Sequence, residues 1–169
     1  MSDVVMVIAP RVFRDEEYAK PRQVLEDRGA RVVTASVAPG ECIGKLGMKA
    51  VAEISVSEAL SRPWDAAVFV GGGGAEVFFD DPSARELARR TLAADKVVGA
   101  ICIAPSVLAR AGLLEGVEAT AFPSQKGDLI AHGARWSDGP VVTDGRIVTA
   151  NGPEAAVAFG EALASALGL

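Results

Sequence analysis

One of the two cysteines, Cys102, stands where a predicted strand passes into a predicted helix. The strand ends with residues 98–101, and the helix is expected to begin near Ala104. A junction this short predicts a sharp turn that lifts the side chain above a sheet, as in the nucleophile elbow of hydrolases. The dipole of the following helix favours negative charge, so we expect a lowered thiol pKa and a reactive thiolate. The alternative is an inert cysteine at the end of a core strand.

A run of four glycines, Gly71 to Gly74, follows a second apolar segment. It matches neither the G-x-G-x-x-G pattern nor the P-loop, so a nucleotide site is not indicated. Glycines at this place would let backbone N–H groups approach a reacting atom and stabilise developing negative charge. The alternative is a flexible turn without chemical consequence, which the run taken alone favours.

Three acidic residues, Asp15, Glu16 and Glu17, open the first predicted helix. The helix dipole favours carboxylates in a first turn for structural reasons alone. This segment also leaves the carboxyl end of the first predicted strand, so one of the three could face a site there, and the sequence does not say which. Cys42 lies in a loop with no following helix and is the weaker candidate for a nucleophile.

The elements that must position these residues alternate along the chain. Continuous apolar runs predict strands at 4–9, 31–37, 66–70 and 97–101, with weaker ones at 48–54, 119–122, 141–143 and 146–149. Helices are predicted at 15–28 with Gly29 as C-cap, at 81–94 with Asp81 as N-cap, at 104–111 and at 153–167, with a short one capped by Ser57 and a hairpin turn at Asp144-Gly145.

Such alternation predicts an α/β fold, with a mostly parallel sheet and helices on both faces. Sites in these folds lie beyond the carboxyl ends of the strands. The cysteine elbow, the glycine run and the acidic segment are therefore expected to meet at one edge of the sheet.

Length and composition limit the classes of function. The 169 residues predict a single domain spanning 1–169, and 50% hydrophobic with 23% charged residues predicts a folded chain. A net charge of -5 without a basic cluster argues against nucleic acid and anionic membranes as partners. Two cysteines without metal spacing predict no metal, and no motif indicates a cofactor. With no signal peptide or membrane span in the sequence, we expect a cytoplasmic protein with reduced thiols.

Several segments together resemble the DJ-1/PfpI superfamily over nearly the whole chain. The matching segments are Phe13-Arg14-Asp15-Glu16-Glu17 with Pro21, Val70-Gly71-Gly72, residues 100–105 around Cys102, residues 111–114, and Gly152-Pro153. The resemblance implies a flavodoxin-like three-layer sandwich of the class I glutamine amidotransferase type. It also implies Cys102 as nucleophile, Glu17 as a partly buried carboxyl group bonded to it, an oxyanion pocket from the amides of Gly72 and Ile103, and a homodimer or larger oligomer.

The sequence departs from the family pattern at two places. Members resembling proteases carry a histidine directly after the cysteine, where this chain has Ile103. In deglycase-like members a histidine comes from a later segment, where the matching position here is Arg135 and the only histidine, His132, lies three residues earlier. A lone histidine is more often a surface or helix-end residue than a catalyst. The cysteine is then expected to depend on the helix dipole and on a protonated Glu17.

These observations support one leading hypothesis and two alternatives. The first is a cysteine-dependent enzyme that acts on small electrophilic carbonyl compounds, in the manner of glyoxalases and deglycases, through a Cys102 thiolate. The second is a stress-response protein without turnover, in which Cys102 is oxidised and the fold serves as redox sensor or chaperone. The third, an intracellular peptidase or amidase of the PfpI type, is disfavoured because Ile103 cannot transfer a proton.

Overall fold

A seven-stranded sheet is the centre of the computed structural model, which describes residues 1–169. The strands are β1 (Asp3–Val7), β2 (Arg11–Phe13), β3 (Arg31–Ser36), β4 (Gly40–Gly44), β5 (Lys49–Ala52), β6 (Ile54–Ser55), β7 (Ala66–Phe69), β8 (Val97–Ile101), β9 (Glu118–Ala119), β10 (Arg135–Trp136), β11 (Val141–Asp144) and β12 (Ile147–Ala150). The helices are α1 (Asp15–Asp27), α2 (Val56–Ala59), α3 (Pro82–Ala93), α4 (Pro105–Arg110), α5 (Lys126–Ala131) and α6 (Ala156–Ala166), with short 3-10 turns at Gly73–Phe78, Pro123–Gln125 and Pro153–Ala155.

The strands of the main sheet lie in the order β11-β12-β8-β7-β1-β3-β6. All neighbouring pairs are parallel except β11 with β12, which form a hairpin. Strands β7, β8 and β12 are buried at every residue, as expected for parallel strands covered on both faces. The continuous apolar runs of the sequence are therefore confirmed as central strands.

Helices cover the two faces of this sheet and complete three layers. α1 and α6 pack against each other on one face, while α2, α3, α4 and α5 contact one another in sequence on the other. The close approach of α6 to the sheet depends on Gly99, since a Cβ there would lie 2.7 Å from Leu163 Cδ2. Fifty of the buried hydrophobic residues form one cluster. The expected flavodoxin-like α/β fold is confirmed.

Local signals at the ends of elements agree with the structure in most places. Asp81 caps α3, where its Oδ2 accepts a hydrogen bond from the Ala84 N–H at 2.9 Å, and the hairpin turn at Asp144-Gly145 is present. Ser57 as the cap of the short helix is wrong. The cap is Ser55, whose Oγ accepts from the Glu58 N–H at 2.9 Å.

The short elements outside the main sheet differ most from the prediction. The single strand expected at 48–54 is divided between β5, in a small sheet of order β2-β4-β5, and β6, at the edge of the main sheet. The strand expected at 119–122 ends at Ala119 and pairs with β10. β2, β4 and α5 were not predicted, because segments of three to six residues carry too little periodicity. None of the helices combines the length and apolar character that crossing a membrane requires.

Candidate active site

Cys102 lies directly after β8 in a conformation that few non-glycine residues adopt. Its φ is 64°, in the left-handed region. Two backbone hydrogen bonds hold it there: its N–H donates to the Ala150 carbonyl at 2.9 Å, and its carbonyl accepts from the Phe122 N–H at 2.7 Å. The side chain is 9% exposed. Strain fixed by surrounding structure at the carboxyl edge of a sheet is a common feature of functional sites.

Of the three acidic residues at the start of α1, only Glu17 reaches Cys102. Asp15 accepts hydrogen bonds from the amides of Leu46 and Met48. Glu16 pairs with Arg14. Glu17 is fully buried, and neither of its carboxyl oxygens has a hydrogen bond of standard geometry. The contacts that favour its charged form, from the Cys102 thiol and the Gly71 amide, are weak compared with the cost of burial.

The first two glycines of the run let the backbone approach these side chains. A Cβ on Gly71 would lie 2.5 Å from Cys102 Cβ and 2.5 Å from Glu17 Oε1, so Gly71 fills the narrow space beside the pair. Gly72 has a φ of 96°, and a Cβ there would collide with the backbone of Val12 to Arg14. The amides of Gly72 and Ile103 lie close enough to the Cys102 sulfur to favour its charged form. The glycine run is thus required by packing as well as by any chemistry.

Burial changes the acidity of both side chains. It raises the pKa of Glu17 from 4.5 to about 7, because the interior disfavours the charged carboxylate. Burial also raises the pKa of the Cys102 thiol to about 12, and the negative charge of Glu17 adds to the rise. The nearby Gly72 and Ile103 amides oppose this rise in the thiol pKa without cancelling it. Just above pH 7 the pair is therefore a neutral thiol beside a carboxylate.

The sequence-based expectation of a lowered thiol pKa is wrong in direction. α4 has only six residues and begins at Pro105, three positions after Cys102. Its dipole is that of a short helix, and desolvation is the largest influence on the thiol pKa. The expectation that desolvation favours a protonated Glu17 agrees in direction with the structure.

We expect Gly71→Ala to disrupt the site with limited damage to the fold. The added Cβ must displace Cys102 or Glu17, and overpacking of this kind costs about 1–3 kcal/mol of unfolding free energy. Alkylation of Cys102 by iodoacetamide, followed by mass spectrometry, should slow at least about tenfold, since a displacement of about 1 Å can cost 10²-fold. Gly73→Ala is the matched control, because a Cβ there meets only Val12 Cγ1, at 3.9 Å. Equal effects of the two substitutions would contradict the packing argument.

Arg135 lies near the end of the sheet where β8 and β12 begin, opposite to the end that carries Cys102. Its guanidinium donates to the Gly116 carbonyl at 3.1 Å and to Asp144 at 3.5 Å. Asp144 belongs to the hairpin that precedes β12, and β12 runs parallel to β8, with Ala150 beside the last residue of β8. The two ends are separated by the length of a five-residue strand, about 16 Å.

His132 is also distant from the cysteine. It follows the last turn of α5, where its Nδ1 lies 2.8 Å from the Asp128 carbonyl oxygen. The other end of α5 is the one nearer to Cys102, since Gln125 there donates to Ser106 Oγ, in the first turn of α4, at 2.7 Å. The structure brings Cys102, Glu17 and the amides of Gly72 and Ile103 together, and it leaves His132 and Arg135 outside.

Sequence reasoning assigned no role to Arg14, although the structure places it beside the site. Its N–H donates to the Gly71 carbonyl at 2.9 Å, and its guanidinium lies close enough for its charge to act on Glu17 and Cys102. A cation directly before the start of a helix is opposed by the helix dipole, and this is the signal that could have identified it.

A shallow cavity lies at the same end of the sheet as Cys102, although the cysteine itself does not line it. It has a volume of about 300 Å³ and is lined by Phe122, Pro123, Asn151, Gly152, Pro153 and Glu154. Phe122 and the residue before Asn151 bond to the backbone of Cys102, so the cavity lies at the same sheet edge. No three His, Cys, Asp or Glu side chains are grouped to hold a metal ion. The cavity suits a small organic molecule.

Proteins of known sequence and structure resemble the chain along almost its whole length. A model of the DJ-1/PfpI family matches residues 2–166. The uncharacterized protein MJ0967 of Methanocaldococcus jannaschii is 41% identical over 160 residues, 93% of this chain and 78% of that protein. Deglycase PYRAB04690 of Pyrococcus abyssi is 32% identical over 149 residues, 88% and 90% of the two chains. A ThiJ/PfpI domain protein from Brachyspira murdochii matches with a TM-score of 0.94 at 31% identity, covering 98% and 96%.

Proposed function

The chain belongs to the DJ-1/PfpI family, and from this premise we propose that it is a cysteine-dependent enzyme acting on 2-oxoaldehydes or their adducts with amines. The observation that carries the proposal is the buried pair of Cys102 and Glu17, joined across Gly71. A carboxylate whose pKa is raised to about 7 is well matched to move protons near neutral pH. The relative from Pyrococcus abyssi is named a deglycase, which is consistent with such chemistry.

The first step joins the sulfur to the aldehyde carbon. The thiol of the free enzyme is neutral, so its proton passes to the Glu17 carboxylate as the C–S bond forms. The thiolate is therefore a transient species. The carbonyl π electrons move to oxygen, where the amides of Gly72 and Ile103 stabilise the charge. The proton then passes from Glu17 to that oxygen and gives a hemithioacetal.

Later steps need no external oxidant or reductant. Glu17 removes the proton from the carbon bonded to sulfur and returns it to the neighbouring ketone carbon, and the hydroxyl proton of the hemithioacetal passes to the ketone oxygen through an enediol. This oxidises the first carbon and reduces the second, leaving a 2-hydroxy thioester. Water cleaves the thioester, releases a 2-hydroxy acid and restores the thiol. Methylglyoxal would give lactate. An amine adduct of the same aldehyde would release its amine as well.

Peptide hydrolysis is less well supported by the same geometry. It requires an acid that protonates a leaving amine while a base activates the nucleophile. Ile103 carries no proton, and His132 bonds to Asp128 at the far end of α5. Glu17 is left as the one acid or base in contact with Cys102.

Lactate formation tests the proposed reaction directly. Purified protein is incubated with methylglyoxal, and lactate is measured over time against protein in which Cys102 has been blocked with iodoacetamide. We expect lactate at a rate proportional to the active protein and none from the blocked sample. A rate in the unblocked sample no higher than that of buffer would exclude this activity.

One observation supports a redox role as a second candidate. A buried Glu17 that holds its proton up to about pH 7 can donate a hydrogen bond to an oxidised sulfur. Peroxide would supply the oxygen atoms, and the sulfur would be oxidised to sulfinic acid while peroxide is reduced to water. Mass spectrometry after mild peroxide treatment should then show two oxygens on Cys102. Unmodified Cys102 in folded protein would exclude the sensor.

A further inference from the structure

We propose that Arg14 recognises a carboxylate on the substrate, so that the preferred electrophile carries a negative charge next to its reactive carbonyl. The inference rests on the proposed function for its choice of substrate class, and it concerns a residue that takes no part in the bond-making steps. Arg14 would be a specificity-determining residue.

The backbone of Arg14 is fixed to the reacting groups. Its N–H donates to the carbonyl of Gly71, the residue that fills the space between Cys102 and Glu17. A Cβ on Gly72 would collide with this same backbone nitrogen, so an amide that lies close to the sulfur belongs to a residue in contact with Arg14.

The guanidinium is held in one orientation and still has a free face. Glu16 accepts two hydrogen bonds from it, from Nε and Nη2, each at 3.0 Å. The remaining nitrogen, Nη1, has no partner in the chain. The side chain of Arg14 is 26% exposed, which leaves it accessible to a small molecule. A preorganised guanidinium with a free N–H is suited to bind a carboxylate.

Electrostatics at the site explains why a cation is needed for such a substrate. Glu17 places a negative charge beside the sulfur, and the whole chain has a net charge of -5. An anionic electrophile approaching Cys102 would be repelled by them. The positive charge of Arg14 stabilises the charged form of Glu17, so Arg14 is near enough to offset that repulsion.

The contribution of Arg14 to folding stability does not explain why an arginine occupies this position. A partly exposed ion pair such as Arg14 with Glu16 contributes about 0–1 kcal/mol to folding. The positive charge also opposes the dipole of α1. A residue that gains little structurally and lies beside a nucleophile is better explained by what it binds.

Alkylation by two reagents of similar shape tests the proposal without turnover. Iodoacetate and iodoacetamide both form an S–C bond with Cys102 and release iodide, and only the first carries a carboxylate. The ratio of their rates at one pH cancels the ionisation of the thiol. We expect Arg14→Gln to lower the ratio of the iodoacetate rate to the iodoacetamide rate about three- to fivefold, the effect of one partly exposed charge.

Two control variants distinguish the effect of a positive charge at the site from the effect of the net charge of the protein on the rate ratio. Arg146→Gln removes the same charge from the opposite edge, where Arg146 donates to the Ala166 carbonyl, and it should leave the ratio unchanged. Arg14→Lys keeps the charge and should stay within about twofold of wild type. If Arg14→Gln fails to fold, the ratio of the iodoacetate rate to the iodoacetamide rate is measured for wild type at low and high salt instead. Salt screens the charge of Arg14, so this ratio should fall in high salt.

An unchanged ratio in folded Arg14→Gln, or a wild-type ratio independent of salt, would overturn the proposal. Neither result bears on lactate formation from methylglyoxal, which is uncharged. Conversely, a protein that forms no lactate but shows the expected ratios would refute the proposed function and leave anion recognition by Arg14 intact.

Discussion

Cys102→Ala is expected to abolish lactate formation from methylglyoxal, with a loss of at least about 10³-fold in kcat/KM. Every covalent step proposed here passes through the Cys102 sulfur, and no other nucleophile in the structure contacts Glu17. The amides of Gly72 and Ile103 remain in Cys102→Ala, but they have no covalent intermediate to stabilise. Initial rates of lactate release at several methylglyoxal concentrations measure the loss.

Cys42→Ala is the matched control for this experiment. Cys42 is more deeply buried than Cys102, and its thiol donates to the Gly40 carbonyl at 3.8 Å within the small sheet of β2, β4 and β5. It has no carboxyl neighbour of the kind that Glu17 provides. Lactate formation should therefore stay within about twofold of wild type, because a small buried truncation affects stability more than chemistry. Equal turnover by wild type and Cys102→Ala would refute cysteine catalysis.

The fold was predictable because its central strands correspond to uninterrupted apolar segments of the sequence. Residues 4–9, 66–70 and 97–101 can be buried on both faces only in a covered parallel sheet, and once that is accepted, the edge that carries Cys102 follows. The one predicted cap that was wrong belongs to a short helix, α2. Ser55 and Ser57 are both suitable N-cap residues two positions apart, and only tertiary packing decides between them.

The site was predictable in its position and not in its electrostatics. Sequence reasoning from the residues left Asp15, Glu16 and Glu17 open, since the start of a helix is uncertain by more than the one residue that separates them. The acidity of Cys102 depends on desolvation and on the distance to Glu17, and neither is written in local sequence. The same holds for His132, whose distance from Cys102 depends on the direction of α5, a helix too short to predict.

Glu17→Gln is expected to lower kcat/KM for methylglyoxal by about 10² to 10⁴, the usual effect of removing a general base. The pH profile gives the sharper readout. Burial raises the pKa of Glu17 to about 7, so wild-type activity should rise through pH 7 as the carboxylate forms and then level off. Glutamine cannot titrate, so the residual activity of Glu17→Gln should lack this rise. Glu26→Gln, which removes an exposed carboxylate at the other end of α1, should retain it.

Stability should change in the opposite direction to activity. Because the folded pKa of Glu17 lies above its ordinary value of 4.5, the folded protein binds more protons than the unfolded chain between pH 4.5 and about 7. Wild-type unfolding free energy should therefore fall as pH rises through this window, by on the order of 3 kcal/mol. Glu17→Gln keeps a neutral side chain at every pH and should escape this loss.

Urea unfolding of both proteins at pH 5 and pH 8 measures this difference. Glu17→Gln should be the more stable protein at pH 8, and the two should be closer at pH 5, where Glu17 is protonated. A Glu17→Gln variant that is less stable at pH 8 than at pH 5 by the wild-type margin would show that the pH dependence arises elsewhere. If Glu17→Gln is more stable than wild type and has lost turnover, the buried carboxylate of Glu17 lowers the stability of the fold. It would then be present because the chemistry at Cys102 requires a base.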